Sequence, residues 1–457
     1  MMQINFKEEN NIYQKSLDRV MDLADFERGK TFPGHSGFHI ERMELLLNKL
    51  GNPHIKIPTI HIAGTKGKGS TAVMISQILI KAGYKIGLYS SPHLHSVRER
   101  IRVNDELISE EDFSNLVTNI YPEVDWVKAN GDFGAITTFE IITAMSFVHF
   151  YNQNVDFQII EVGLGGRLDA TNVVSPEVSV ITSLSLDHES VLGTNIESIA
   201  KEKAGIIKKN IPVVVAPQKP NAKKIINQIS IKQQSDVYNL DEIARWDIIK
   251  IKGKKQYGTI FIGENEYSVK IPLLGKYQFE NAALSCVISE ILNKKGFKIS
   301  KKAIISGLSI VKWPGRMELL SSKTNQVLVD GAHNLYSIQK LVEEINENFS
   351  YKRIIIVFGA LKGHNIEGML KELITLDPEI IISSSRHPRA LSTREISEQL
   401  DLCGYKSLIQ AESVYLAINK AIEISNKNDL ILGTGSLSVV AEIIETLKGV
   451  SSERYLI

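Results

Sequence analysis

The stretch "HIAGTKGKGST" occupies residues 61–71, and its reading decides the fold. It follows directly on an apolar, β-branched run, "TIHIA" (59–63), and leads directly into a helical pattern at 70–82. Glycines at such a junction let backbone N–H groups turn inward around a phosphate, and the helix N-terminus adds positive potential. The literal G-x-x-x-x-G-K-[ST] pattern is not met: Ile62 stands five residues before Gly67, and Gly69 separates Lys68 from Ser70. Placement between strand and helix matters more than the literal pattern. A phosphate loop here would consist of Gly64, Thr65, Lys66, Gly67, Lys68, Gly69, Ser70 and Thr71. Lys68 would supply a mobile charge for the β- and γ-phosphates, and Ser70 or Thr71 a hydroxyl for Mg²⁺. A glycine turn with a lysine-rich tip and a capping serine is the plainer reading of the same residues.

Working outward, "DFQIIEV" (156–162), "VSVITSL" (178–184) and "PVVVAP" (212–217) are short, β-branched and bounded by turn residues, as buried parallel strands are. Helical patterns at 136–151 and 196–203 alternate with them. "YGTIFIGENEYSVKI" (257–271) reads as a hairpin about Gly-Glu-Asn, and "FENAALSCVISEILNKKG" (279–296) as a helix stopped by Gly296. Past "VKWPGRMELL" (311–320) a second set of strands follows: "QVLVD" (326–330), "RIIIVFGA" (353–360), "EIIISS" (379–384) and "DLILG" (429–433). This alternation predicts an α/β protein: a P-loop-type doubly wound central-sheet domain followed by a smaller Rossmann-like α/β domain. The expected units are 1–311, a linker at 312–315, and 316–457.

The chain has 457 residues, 43% hydrophobic and 23% charged, which suits a two-domain globular protein. A net charge of +1 gives no global field for nucleic acid or an anionic membrane. Two distant cysteines, Cys286 and Cys403, suggest neither a disulfide framework nor a thiolate metal site, so a reducing cytoplasm is expected. "MMQINFKEENN" has no apolar signal region, and no apolar run approaches the roughly 18 residues of a membrane span.

Other stretches could carry chemistry. In "EVGLGGRLDATN" (161–172), Glu161 ends an apolar run where an acid is costly without a cation. It could hold Mg²⁺, or simply pair with Arg167. Gly163, Gly165 and Gly166 do not make G-x-G-x-x-G, since position 168 is Leu. "SLDHES" (185–190) puts His188 just past a strand, as a metal ligand or an ordinary loop residue. "IAKEKAGIIK" (199–208) looks like a charged surface helix, with Lys203 a solvated lysine. "DGAHN" (330–334) and "GTGSLS" (433–438) are strand-end loops, and Ser436 can cap the next helix.

In this order, these stretches resemble the folylpolyglutamate synthase and dihydrofolate synthase family of the Mur ligase superfamily. "ERMELLLNKLGNP" (41–53), "SSPHLHSVRERIRV" (90–103), "TTFE" (137–140), "YQFENAALS" (277–285) and "GRME" (315–318) add to the resemblance, which covers nearly the whole chain. It implies an ATP-dependent ligase in which 65–70 cradle the ATP phosphates, Lys68, His188 and Lys203 serve catalysis, and Asn281, Arg316 and Asp330 contact adenosine and phosphate. Ser70, Ser91, Glu161 and His188 would hold Mg²⁺, two ions being expected, with Lys203 carbamylated. Thr137, Thr138, Phe139, Glu140, Leu168, Asp169 and Ala170 would lie on the pterin side, and His333 and Ser436 on the glutamate side. Departures stand at Lys66, where Asn is usual, at Tyr277, at Leu335, and at "LKGHN" (361–365).

The implied substrates are ATP, L-glutamate and a folate or pteroate, joined through an acyl phosphate in a cytoplasmic monomer with no nucleic-acid or membrane partner. Another Mur-type amino-acid ligase would need an extra N-terminal domain, and 63 residues before Gly64 are too few for it. A P-loop switch would turn over nucleotide without a second substrate.

Overall fold

The computed structural model describes residues 2–25, 28–29, 37–187, 189–321, 326–406 and 408–453. Its centre is an eight-stranded sheet built from β1 (Thr59–Ala63), β2 (Ile86–Tyr89), β3 (Ile101–Val103), β4 (Glu106–Leu107), β5 (Phe157–Glu161), β6 (Val178–Ile181), β7 (Val213–Val215) and β8 (Val237–Asn239). The order is β4-β3-β2-β5-β1-β6-β7-β8, and β3 alone runs against the rest, pairing antiparallel with both β2 and β4. The middle strands β1, β5 and β6 are buried along their whole length, which is why they read as continuous apolar runs. Successive side chains go to opposite faces. Ile159 joins a core with Ile75, Ile78 and Phe279, from the helices Lys68–Lys81 and Tyr277–Lys294. Ile160 joins the other core with Ile141 and Phe147 of Thr138–Asn152, Met43 of Ile40–Lys49 and Leu17 of Met2–Met21.

A three-stranded antiparallel meander follows: β9 (Ala244–Lys252), β10 (Lys255–Ile262) and β11 (Asn265–Ile271). The expected hairpin is its second half, with Ile262 opposite Asn265, so the turn holds two residues rather than three. The charged, alternating β9 is an addition to the sequence reading. The second sheet has the order β12-β13-β17-β14-β15-β16, from β12 (Glu318–Ser321), β13 (Gln326–Val329), β14 (Ile354–Phe358), β15 (Glu379–Ser383), β16 (Leu408–Ala411) and β17 (Leu430–Thr434). Only β12 runs antiparallel. Helices cover both faces, around Leu328, Ile356 and Leu432 on one side and Val327, Val357 and Ile431 on the other. Near the chain's end, Glu453 accepts from Tyr13 Oη at 2.5 Å and from the Val97 N–H at 2.8 Å, tying this part to the central-sheet unit.

One buried base on β1 has a consequence for acid stability. His61 is fully buried; its Nε2 lies 2.9 Å from Thr171 Oγ1, and its Nδ1 has no hydrogen-bond partner. Burial, helped by the Lys208 charge, pushes its pKa from 6.5 down to about 3. The unfolded chain therefore binds this proton below pH 6.5 while the native state stays neutral until about pH 3, so stability falls as pH drops across that window. Urea unfolding at pH 7 and pH 5 should show a smaller loss of stability in His61→Leu than in the parent. An equal loss in both would mean that His61 is protonated in the native state.

Candidate active site

The loop 64–67 joins β1 to the helix Lys68–Lys81 at the carboxyl edge of the central sheet. Gly64 and Gly67 have φ of 152° and 90°, which disfavour other residues. Space closes the question: a Cβ on Gly64 would lie 1.8 Å from Thr182 Oγ1, and one on Gly67 2.5 Å from Asn281 Oδ1. The N–H groups of Thr65 and Lys66 both donate to Ser183 O, at 3.0 and 3.1 Å, fixing the loop to the end of β6. Thr71 Oγ1 lies 3.4 Å from Asn281 Oδ1, and Ser70 is buried beside it. Trp313 sits over the helix start, where a Cβ on Gly69 would come within 2.9 Å of its ring.

The Gly64 carbonyl accepts from Lys68 Nζ at 3.1 Å and from Lys203 Nζ at 3.0 Å. Lys203 is buried, which removes the solvated-helix reading; burial, then the Lys68 charge, lowers its pKa to about 7 against the pull of Asp187 and Asp169. Glycine packing explains how it gets there. A Cβ on Gly166 would stand 2.8 Å from Glu202 O and 3.0 Å from Lys203 Cα, so only glycine lets the end of the helix Ile196–Lys203 approach. Glu161, at the end of β5, is buried too. Its Oε2 accepts the Ser91 N–H at 3.2 Å. Burial raises its pKa to about 7, opposed first by Lys68. Arg167 is not its partner; that guanidinium pairs with Glu202 at 3.0 Å.

The second sheet contributes its own carboxyl edge. Asp330 accepts the N–H groups of Met317 and Ala332, both at 2.9 Å, and burial raises its pKa against the nearby Arg316. Met317 has φ of 41°, an unusual conformation for a side-chain-bearing residue, immediately after Arg316. Ser436 caps the helix Leu437–Lys448, as its sequence position suggested, with Oγ accepting the Val439 N–H at 3.2 Å. Its loop lies beside 330–334, since Gly435 N–H donates to Ala332 O at 3.1 Å. His333 projects toward the first loop, with Nε2 3.0 Å from Lys66 Nζ. Between the two edges runs a shallow open cleft lined by Ser90, Pro92, Arg102, Trp313, Arg316 and Leu437 among others.

The expected pterin-side residues form a separate group. Thr137 and Glu140 make a reciprocal cap, with Thr137 N–H on Glu140 Oε2 at 2.7 Å, and Glu140 also binds buried Arg42 at 2.7 Å. Thr138 Oγ1 donates to Val20 O at 3.0 Å. Thr138 and Glu140 thus hold helices together and Thr137 caps its own, while half-buried Phe139 packs on Gly163. Asp169 accepts from Leu164 N–H at 2.9 Å and from Thr171 Oγ1 at 2.5 Å, between partly exposed Leu168 and buried Ala170. His188 lies outside the described residues. Among those described, no three His, Cys, Asp or Glu side chains converge on one point, and no helix is long and apolar enough to cross a membrane. Asp187, Arg102 and Trp313 are additions at the site. Asp187 was legible only as an acid beside His188, and Trp313 only as part of a linker.

Comparison with known proteins identifies the domains and the family. Residues 62–289 match the Mur ligase middle domain, and residues 315–437 match the Mur ligase glutamate ligase domain. A dihydrofolate synthase/folylpolyglutamate synthase of Bacillus subtilis is 37% identical over 410 residues, covering 89% of this chain and 94% of its own. A Mycobacterium tuberculosis folylpolyglutamate synthase solved with ADP superposes with a TM-score of 0.87 at 28% identity, over 97% of this chain and 100% of its own. Escherichia coli FolC, solved with DHPP and ADP, gives 0.83 at 28% identity, over 96% and 98%. Matching motifs, domain order and coverage leave one conclusion: the chain belongs to the dihydrofolate synthase/folylpolyglutamate synthase family of Mur ligases.

Proposed function

We infer that the protein is an ATP-dependent ligase that joins L-glutamate to the carboxylate of a folate. The observation that carries this reading is the meeting of Lys68 and Lys203 on the Gly64 carbonyl beside buried Glu161, with the second sheet's loops facing them. The same reading divides the chain at 312–315, between an ATP-binding unit at 1–311 and a glutamate-ligase unit at 316–457. The Bacillus relative bears both synthase names, which supports dihydropteroate as a second acid substrate.

A carboxylate is a poor acyl donor until it is phosphorylated. A carboxylate oxygen of the folate attacks the γ-phosphorus of ATP; the bond to ADP breaks and an acyl phosphate forms. The deprotonated amino group of glutamate then attacks the acyl carbon, and phosphate leaves. Two anions must meet in the first step, so the protein's task is positioning and charge neutralisation. Lys68 and the loop 65–70 would hold the triphosphate, with Asn281, Arg316 and Asp330 on the nucleotide. Thr137, Thr138, Phe139, Glu140, Leu168, Asp169 and Ala170 would border the pterin, and His333 and Ser436 the glutamate. Water must be kept from the acyl phosphate, which a cleft between two units can do by closing.

The donor set suits Mg²⁺, a hard cation that takes one or two carboxylates and keeps several waters. Buried Glu161, with its high pKa, is a carboxylate short of a cation, and Ser70, Ser91 and His188 would complete the first-sphere candidates. Bound there, the ion would supply positive charge to the phosphates. A protonated Lys203 would repel it. Addition of carbon dioxide to the neutral amine would give a carbamate, and burial favours the neutral amine.

Four outcomes are expected. Phosphate release from ATP should require both glutamate and a folate or pteroate; release that needs neither would point to a nucleotide switch, and release that needs a different acid to a sister ligase. With ¹⁸O in the pterin carboxylate, one label should appear in the released phosphate. Lys68→Ala should leave a folded protein with ligation slowed over a hundredfold, about 3 kcal/mol of barrier; near-parental rates would remove Lys68 from the phosphate site. For Lys203, replacement by Ala should abolish most activity, replacement by Arg should not restore it, and formate or acetate should partly rescue the alanine variant. A fully active Lys203→Arg would exclude the carbamate.

A further inference from the structure

Lys66 carries the one lysine side chain of the loop that does not turn back on it. Lys68 folds over Gly64 O, whereas Lys66 Nζ lies 3.1 Å from Asp187 Oδ2 and 3.0 Å from His333 Nε2. The Lys66 backbone is held separately, by its N–H on Ser183 O. The three side chains come from three distant stretches: the phosphate loop, the segment after β6, and the loop after β13. Asp187 is nearly buried, at 8% exposure, and Lys66 is 23% exposed, so solvent screens this contact far less than a surface pair.

The contact also fixes the state of His333. An ammonium group only donates, so Nε2 must accept, and Nδ1 carries the proton, which it gives to Gly331 O at 2.8 Å. Both ring nitrogens are thereby used, and the ring edge rests on His364, with centroids 5.5 Å apart. Without the lysine, the Nε2 acceptor has no donor from the loop, and the next group is Asp187 Oδ2 at 3.9 Å. The ring would then gain by turning or by exchanging tautomer. An asparagine at 66 keeps the backbone contacts but has too short a stem to span to both partners.

We propose that Lys66 is a positioning residue: it ties the phosphate loop to His333 across the cleft, so that the loop's geometry sets the orientation in which the second sheet receives the amino-acid substrate. This rests on the ligase reading, in which His333 borders the glutamate. Two donors of the Lys66 ammonium are committed to Asp187 and His333, and of these two only His333 borders the glutamate in the ligase reading, so the effect on that substrate runs through His333. Because coupling between two sites is reciprocal, a loop that holds His333 better when filled should also bind nucleotide better when glutamate is present.

The test uses the full chain as parent, Lys66→Met, Lys66→Asn, Lys66→Arg, His333→Gln, and Lys66→Met with His333→Gln. KM for glutamate should rise about tenfold or more in the Met and Asn variants, with kcat and the Kd for AMPPCP within about threefold of the parent. Arg, long enough and always charged, should restore most of the parental KM. Adding Lys66→Met to His333→Gln should raise KM no further. A tenfold loss of AMPPCP affinity with unchanged glutamate KM would overturn the proposal in favour of a direct phosphate contact, and additive effects in the double variant would overturn action through His333. A readout without turnover separates this from failure of the ligase reading. In ¹⁵N-histidine spectra, the signals absent from His333→Gln should show an unprotonated Nε2 in the parent and shift in Lys66→Met. Unchanged signals would overturn the proposal even in an active ligase, while a shift in a protein lacking glutamate-dependent turnover would sink only the ligase reading.

Discussion

The Gly64 carbonyl oxygen holds two lysine amino groups at 3.1 and 3.0 Å, with a third lysine on the same short loop. Like charges gathered out of solvent repel, and the pKa values of Lys66 and Lys203 fall mainly because burial penalises the charged form, with neighbouring lysines adding to it. The acids nearby do not balance them all: Asp187 is shared with Lys66, and Glu161 is itself burdened by burial. Such a site is built for something anionic that arrives from outside. Most other features serve this arrangement. Gly64 and Gly67 let the loop form, Gly166 admits the Lys203 backbone, and β1, β5 and β6 set the carboxyl edges where these residues meet.

The second sheet brings the complementary half by the same rule. Parallel strands end together, so the loops after β13 and β17 lie side by side, and His333 reaches from them to the first loop. Among the contacts that bridge the two halves are Lys66 with His333, His95 with Glu445, and Glu453 with Tyr13 and Val97. The cleft between them is lined by Arg102, Arg316 and Glu99 as well as apolar side chains.

The central strands, the glycine loop after β1 and the helices after them were legible because fully buried parallel strands leave an unambiguous apolar run, and glycines mark where backbone must turn. β1 was read to the residue. Edge and meander strands were less visible. β9 mixes Arg, Asp and Lys with apolar residues because its sides are partly wet, and β12 and β16 are only four residues long. Capping was readable at Ser436 but gave no hint that Glu140 would also be seized by Arg42, 98 residues away.

By itself, the sequence determined the strand-helix alternation, the glycine loop between β1 and its helix and, through ordered motifs, the family; these depend on local periodicity and on residues close in the chain. Tertiary structure decided the surroundings of individual charges. Lys203 reads as a surface lysine on a charged helix, and only the close approach of Gly166 buries it. Lys66 reads as a loop-tip charge, yet its partners stand 121 and 267 residues away. Burial and long-range pairing depend on which surfaces pack together, and no window along the chain contains that information.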